Sequence, residues 1–212
     1  MKRILTIVAF IFSFMFVVAQ TPNNHLTFMG IPITGTLENF AQKMEAKGFK
    51  KKYSNKRIIG LEGEFAGYSG CKITVFKILN RNIVRKVVVS FPTVSSWTRL
   101  EKEYNQFKDM LTNKYGEPTS HSEIFKEGAS TFNDDAKMSS LKEGNGAYWS
   151  AWKVDNGTIY MEIFTTLDEN DGRILLIYFD KIAVLSLQNK KSYFLLFIFL
   201  NNGIFAIYMI KS

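Results

Sequence analysis

Ser95-Ser96-Trp97-Thr98-Arg99-Leu100-Glu101-Lys102-Glu103-Tyr104-Asn105-Gln106-Phe107-Lys108-Asp109-Met110-Leu111-Thr112-Asn113-Lys114-Tyr115-Gly116-Glu117-Pro118 is the stretch that decides the fold. Trp97, Leu100, Tyr104, Phe107, Met110 and Leu111 recur at spacings of three and four, which predicts one apolar face on a long helix. Ser95-Ser96 supplies the N-cap, and Tyr115-Gly116-Glu117-Pro118 supplies the stop. Strand-like runs follow at Ala147 to Val154, Thr158 to Thr166 and Arg173 to Phe179. Asp155-Asn156-Gly157 and Asp168-Glu169-Asn170-Asp171-Gly172 separate them as hairpin turns.

The same order stands upstream. Thr36 caps a helix whose apolar side carries Leu37, Phe40, Ala41, Met44 and Ala46, and Gly48 is its C′ residue. Lys47, Lys50, Lys51, Lys52, Lys56 and Arg57 read as a basic loop, followed by strands at Gly60 to Ala66, Cys71 to Leu79 and Ile83 to Phe91. Gly67 to Gly70 and Asn80-Arg81-Asn82 read as their turns. Phe40, Met44 and Lys47 repeat the spacing of Phe107, Leu111 and Lys114, while the longer interval after the second helix places an insertion near Ser120 to Asn145. The expected fold class is α+β: two tandem α-β-β-β units, 25–92 and 93–181, with helices packed on one face of an antiparallel sheet. Aromatics on the other face, Tyr148, Trp152 and Tyr160, are the expected binding contacts, with Lys50, Lys51 and Lys52 and the insertion loop as further candidates.

Beyond the units, Lys2-Arg3, the apolar run Ile4 to Val18 and Ala19-Gln20 match a signal peptide cleaved after residue 19. This predicts a periplasmic or secreted protein, with a membrane-anchored one as the alternative. Removing Lys2 and Arg3 leaves 25 basic against 19 acidic residues, a net charge of +6. Export makes nucleic acid an unexpected partner; a protein or envelope component is the expected one. At the other end, Ser192 to Ile210 is almost continuously apolar, interrupted by Asn201-Asn202-Gly203. Residues 182–212 are read as an aberrant terminus, an anchor contacting the membrane through 192–210, or a packed helix. Mid-depth asparagines and the flanking Lys190-Lys191 weigh against the anchor.

Cys71 is the single cysteine, so no intrachain disulfide can staple the fold. His25 and His121, the two histidines, belong to no ligand cluster, and no metal or other cofactor is expected. Asp168 to Gly172 misses the spacing of a calcium loop. Asp134-Asp135 and Cys71 are the residues that a hydrolase would have to use, but no catalytic constellation surrounds them and no enzyme is expected.

Gly30-Ile31-Pro32-Ile33-Thr34-Gly35-Thr36-Leu37 with Phe40 and Gly48-Phe49, then Lys114-Tyr115-Gly116-Glu117-Pro118, then Tyr178-Phe179-Asp180-Lys181, resembles uncharacterised secreted proteins of gut bacteria over roughly His25 to Lys181. The pattern is similar to the tandem helix-plus-sheet arrangement of β-lactamase-inhibitor-protein-like domains. That resemblance implies a non-enzymatic binding role, although such proteins usually finish in a polar tail. Protein binding through the sheet face is the expected function, with a carrier of a lipid or small ligand between helix and sheet as the alternative.

Overall fold

The computed structural model describes residues 25–78, 81–165 and 171–181, together with the backbone of 193–198 and 206–211. The segment read above as a signal peptide, most of the expected hairpin turn Asp168 to Gly172, and residues 182–192 lie outside the described residues. A short hairpin, β1 (Thr27–Phe28) with β2 (Ile31–Pro32), turns on Met29 and Gly30, both at positive φ. Helix α1 (Leu37–Glu45) follows. Thr36 Oγ1 accepts from Asn39 N at 3.1 Å at its start. At its end Gly48, at φ +93°, donates to Glu45 O while Phe49 N bonds Met44 O, so Gly48 is the C′ residue of a Schellman closure.

Four strands come next: β3 (Lys50–Ser54), β4 (Ile58–Phe65), β5 (Tyr68–Lys77) and β6 (Val84–Ser90). Helix α2 (Trp97–Tyr115) is capped by Ser96 and stopped at Gly116, φ +83°. It leads to β7 (Ser120–Phe125), α3 (Asp134–Lys142), β8 (Gly146–Val154), β9 (Gly157–Thr165) and β10 (Gly172–Asp180). The eight strands β3 to β10 form one antiparallel sheet in the order β3-β4-β5-β6-β10-β9-β8-β7. Its centre is the β6–β10 pair, with Leu175 opposite Ser90 and Ile177 opposite Val88.

Two strands of the large sheet enter where the sequence predicts none. Lys50 to Lys52 belongs to the edge strand β3, not to a loop, and the Ser120 to Asn145 insertion holds the opposite edge strand β7 and helix α3. Edge strands need polar, charged side chains to discourage further pairing, so their sequences look like loops. Asp155 and Asn156 alone make the β8–β9 turn, and Gly157 is already paired with Val154. Gly157 is required by a close approach rather than by its φ, since a Cβ there would run into the Phe179 carbonyl oxygen.

One apolar cluster draws Leu37, Phe40 and Met44 from α1 and Trp97, Leu100, Tyr104, Phe107 and Leu111 from α2. It joins them to Ile59, Leu61, Ile73, Val75, Val87, Val89, Ile159, Met161, Ile174 and Leu176 on alternate strand positions. The sheet side bearing this cluster is called inner below. Met110, expected on the apolar face of α2, is 46% exposed because it lies on the solvent side of the helix. Asp180, 1% exposed, ties the N-terminal segment to β10: its Oδ2 accepts from Leu26 N at 2.6 Å, and Oδ1 lies 3.1 Å from His25 Nδ1.

The C-terminal strands β11 (Tyr193–Ile198) and β12 (Ala206–Lys211) pair antiparallel as a separate two-stranded sheet. The packed-helix reading of the tail is thereby corrected. Among the described residues no helix is long and apolar enough to cross a membrane.

Replacing Gly157 by Ala is expected to cost about 1–3 kcal/mol, because backbone must move to admit the methyl group. Urea unfolding followed by circular dichroism would measure the loss.

Candidate functional site

The inner space between α2 and the β7–β8 pair is filled by a polar seam. Tyr104 OH lies 2.8 Å from Ser150 Oγ and donates to Glu123 Oε1 at 3.3 Å, while Lys108 Nζ donates to the same oxygen at 2.6 Å. Tyr148 OH and Trp97 Nε1 donate to the two oxygens of Glu101. Burial, aided by the neighbouring carboxylates, pushes the Tyr148 phenol up to about 12. Trp152, 1% exposed, donates from Nε1 to Gly116 O at 3.0 Å and so fastens the end of α2 to β8. These groups satisfy one another, which is the condition for holding polar atoms in a core.

This placement corrects the predicted aromatic surface. Tyr148 and Trp152 pack on the inner cluster, whereas Tyr160 joins a second cluster with Ala151 and Ile177 on the outer side of the sheet. Alternation puts Tyr148 and Trp152 together on β8, but register puts Tyr160 opposite Ala151. Lys50, Lys51 and Lys52 are exposed on β3, five strands from β9 and hence roughly 24 Å away across the sheet. The structure therefore does not bring the lysines and Tyr160 into one site.

Register instead assembles three rows on the outer face. Trp149, Glu162, Leu175, Ser90 and Lys72 form one row across β8, β9, β10, β6 and β5. Ala151, Tyr160, Ile177, Val88 and Thr74 form the next, and Thr158, Phe179, Lys86 and Phe76 the third. The Trp149 and Tyr160 rings stack at 5.8 Å and 24°. Lys86 Nζ sits 3.9 Å from the Phe76 ring centroid and 5.4 Å from that of Phe179. Burial, with Arg85 beside it, lowers the Lys86 ammonium to about 8.

Glu162 is the chemical centre of this face. Its Oε2 accepts from Tyr160 OH at 3.0 Å, and its Oε1 is sealed from water with no hydrogen-bond partner. Burial raises the carboxyl to about 7, while the Tyr160 hydrogen bond works in the opposite direction. Tyr160 itself is raised, first by burial and then by the Glu162 charge. A buried acid half-satisfied by one phenol, beside stacked rings, suits recognition of a hydrogen-bond donor or cation. Sequence reasoning missed Glu162, although it is the one acid in a strand whose other side chains, apart from threonines, are apolar or aromatic.

The residues considered for hydrolysis do other work. Asp134 accepts from Ser96 Oγ at 2.7 Å, Thr98 Oγ1 at 2.8 Å and Thr98 N at 3.1 Å, linking α3 to the start of α2. Those bonds lower its pKa, the Ser96 hydroxyl first. Asp135 lines a cleft of about 450 Å³ with Phe132, Asn133, Ser139 and Ser140. Cys71 is fully buried, its thiol 3.3 Å from Tyr68 O and pushed up to about 11 by burial. His121 lies five strands from Cys71. Among the described residues no group of three His, Cys, Asp or Glu side chains could hold a metal ion.

Compared with known proteins, the chain matches no family model, no curated protein and no solved structure.

Because the folded chain holds the Glu162 proton up to about pH 7, whereas an ordinary carboxyl releases it near 4.5, stability falls as pH rises through that window. The loss is at most about 3 kcal/mol. Glu162→Gln, whose carbonyl still accepts from Tyr160, is expected to raise the melting temperature more at pH 8 than at pH 5. Equal shifts at both pH values would contradict the assignment.

Proposed function

We propose that this chain is an exported, non-enzymatic binding module, and that its outer sheet face recognises a protein or envelope component. The observation that carries the reading is the half-satisfied carboxylate of Glu162 set among Trp149, Tyr160, Ile177 and Phe179. An apolar and aromatic patch around one polar group is the usual composition of a binding hot spot. The signal-like segment Lys2 to Ala19 supports export.

The architecture behind the face is a tandem of two helix-plus-sheet units with their helices on the inner side. Support comes from the mirrored strand order, four strands after α1 and four after α2, meeting at β6 and β10. The β-lactamase-inhibitor-protein-like resemblance agrees with this arrangement and with a binding role. Each unit carries four strands in this reading, because the edge strands β3 and β7 complete them.

A crosslinking capture from the native envelope tests the reading. Trp149→Ala is expected to reduce recovery of a specific partner at least tenfold while shifting the melting temperature by only a few degrees. Trp152→Ala, which removes an inner-core anchor, is expected to unfold the chain instead, at a cost of about 3–5 kcal/mol. Undiminished capture by folded Trp149→Ala would reject the outer face as the binding surface.

A further inference from the structure

The outer cluster is more buried than a bare sheet face would leave it. Ile177 is 2% exposed, Tyr160 7% and Ala151 9%, and one oxygen of Glu162 is sealed from water. Yet among the described residues the cluster consists only of strand side chains, Ala151, Tyr160 and Ile177 with Val88, Trp149 and Phe179 against them. Leu37, Phe40, Met44, Trp97, Leu100 and Met138 of the helices belong to the inner cluster. A single layer of sheet does not bury its own outer face.

The β11–β12 hairpin has the complementary need. Among the described residues its strands pair only with each other, and an isolated two-stranded hairpin is marginal in water. Its register groups Leu195 and Phe197 with Met209 and Ile207 on one side, and Phe194 and Leu196 with Ile210 and Tyr208 on the other. Both sides are thus apolar by sequence. Residues 182–192 connect it to the end of β10 and, fully extended, reach roughly 35–40 Å. The outer cluster spans β8, β9, β10 and β6, roughly 15 Å of sheet, and so lies within that reach.

We propose that the C-terminal hairpin of the same chain docks on the outer face of the sheet, over Trp149, Tyr160 and Ile177. Near neutrality Glu162 holds its proton part of the time, which suits an apolar cover better than a fixed charge does. A consequence rests on the binding role proposed above: a partner must displace the hairpin to reach the face, making the tail an intramolecular competitor.

Photo-crosslinking of the full chain tests the docking alone, so its result is independent of whether the face binds a partner. Trp149→p-benzoylphenylalanine is prepared as a mixture of ordinary and heavy-isotope chains, with and without phosphatidylethanolamine–phosphatidylglycerol vesicles. Leu175→p-benzoylphenylalanine is the second label, in case the first does not fold by circular dichroism. Met110→p-benzoylphenylalanine, on the exposed side of α2, is the control. The expected result is that most adducts join the label to peptides within 193–211 of the same isotope, unchanged by dilution or vesicles, with no such adduct from position 110. Adducts between light and heavy chains would replace the docking with a second copy. Adducts on lipid would replace it with a membrane surface, and the absence of any adduct in 193–211 would overturn it.

Discussion

The antiparallel pairing of β6 with β10 is the interaction on which the rest of the structure depends. It joins β3-β4-β5-β6 to β7-β8-β9-β10 through Ser90, Val89, Val88, Val87 and Lys86 facing Leu175 to Phe179. These strands lie on opposite sides of α2, α3 and half the remaining sheet in sequence, so closing the pair means ordering a long stretch of chain first. Without it, two valine- and isoleucine-rich edges would stand open. With it, the exposed edges are Lys50-Lys51-Lys52 on β3 and Ser120-His121-Ser122-Glu123 on β7, whose polarity resists further pairing.

The same pairing fixes what each face of the sheet can do. On the inner side, Glu123, Ser150, Tyr104 and Lys108 satisfy one another, and the indole of Trp152 finds the free carbonyl of Gly116. Polarity there serves to position α2. On the outer side, Glu162 is held by a single phenol and keeps one oxygen without a partner. Desolvation without full compensation is tolerated only where something else is gained, and a recognition surface is one such gain.

Much of this was legible in the residues. Helices α1 and α2 were readable because their apolar positions follow the helical period and Thr36, Ser96, Gly48 and Gly116 mark their ends. Six strands of the large sheet were readable, five from β-branched and aromatic runs and β4 more weakly. The edges were not, because a strand with one unpaired side is selected for lysine, serine and histidine rather than for valine. Helix α3 was missed for a related reason: its cap is Asn133, but Ala136, Met138 and Ser140 are its buried residues, too few to make a stripe.

Sequence alone determined the α+β class, the positions and caps of helices α1 and α2, and the alternation that sets neighbouring residues of a strand on opposite sides. These are local properties of backbone and side chain. Only the tertiary structure decided that Tyr148 and Trp152 join the cluster of α2 while Tyr160 joins a second one, and that Trp149, Glu162 and Leu175 fall in one row. A strand's sequence specifies which residues share a side, but not which side meets the core or which residue stands opposite on the next strand. That choice belongs to the register, and the register is set by how all eight strands and the helices covering them pack together.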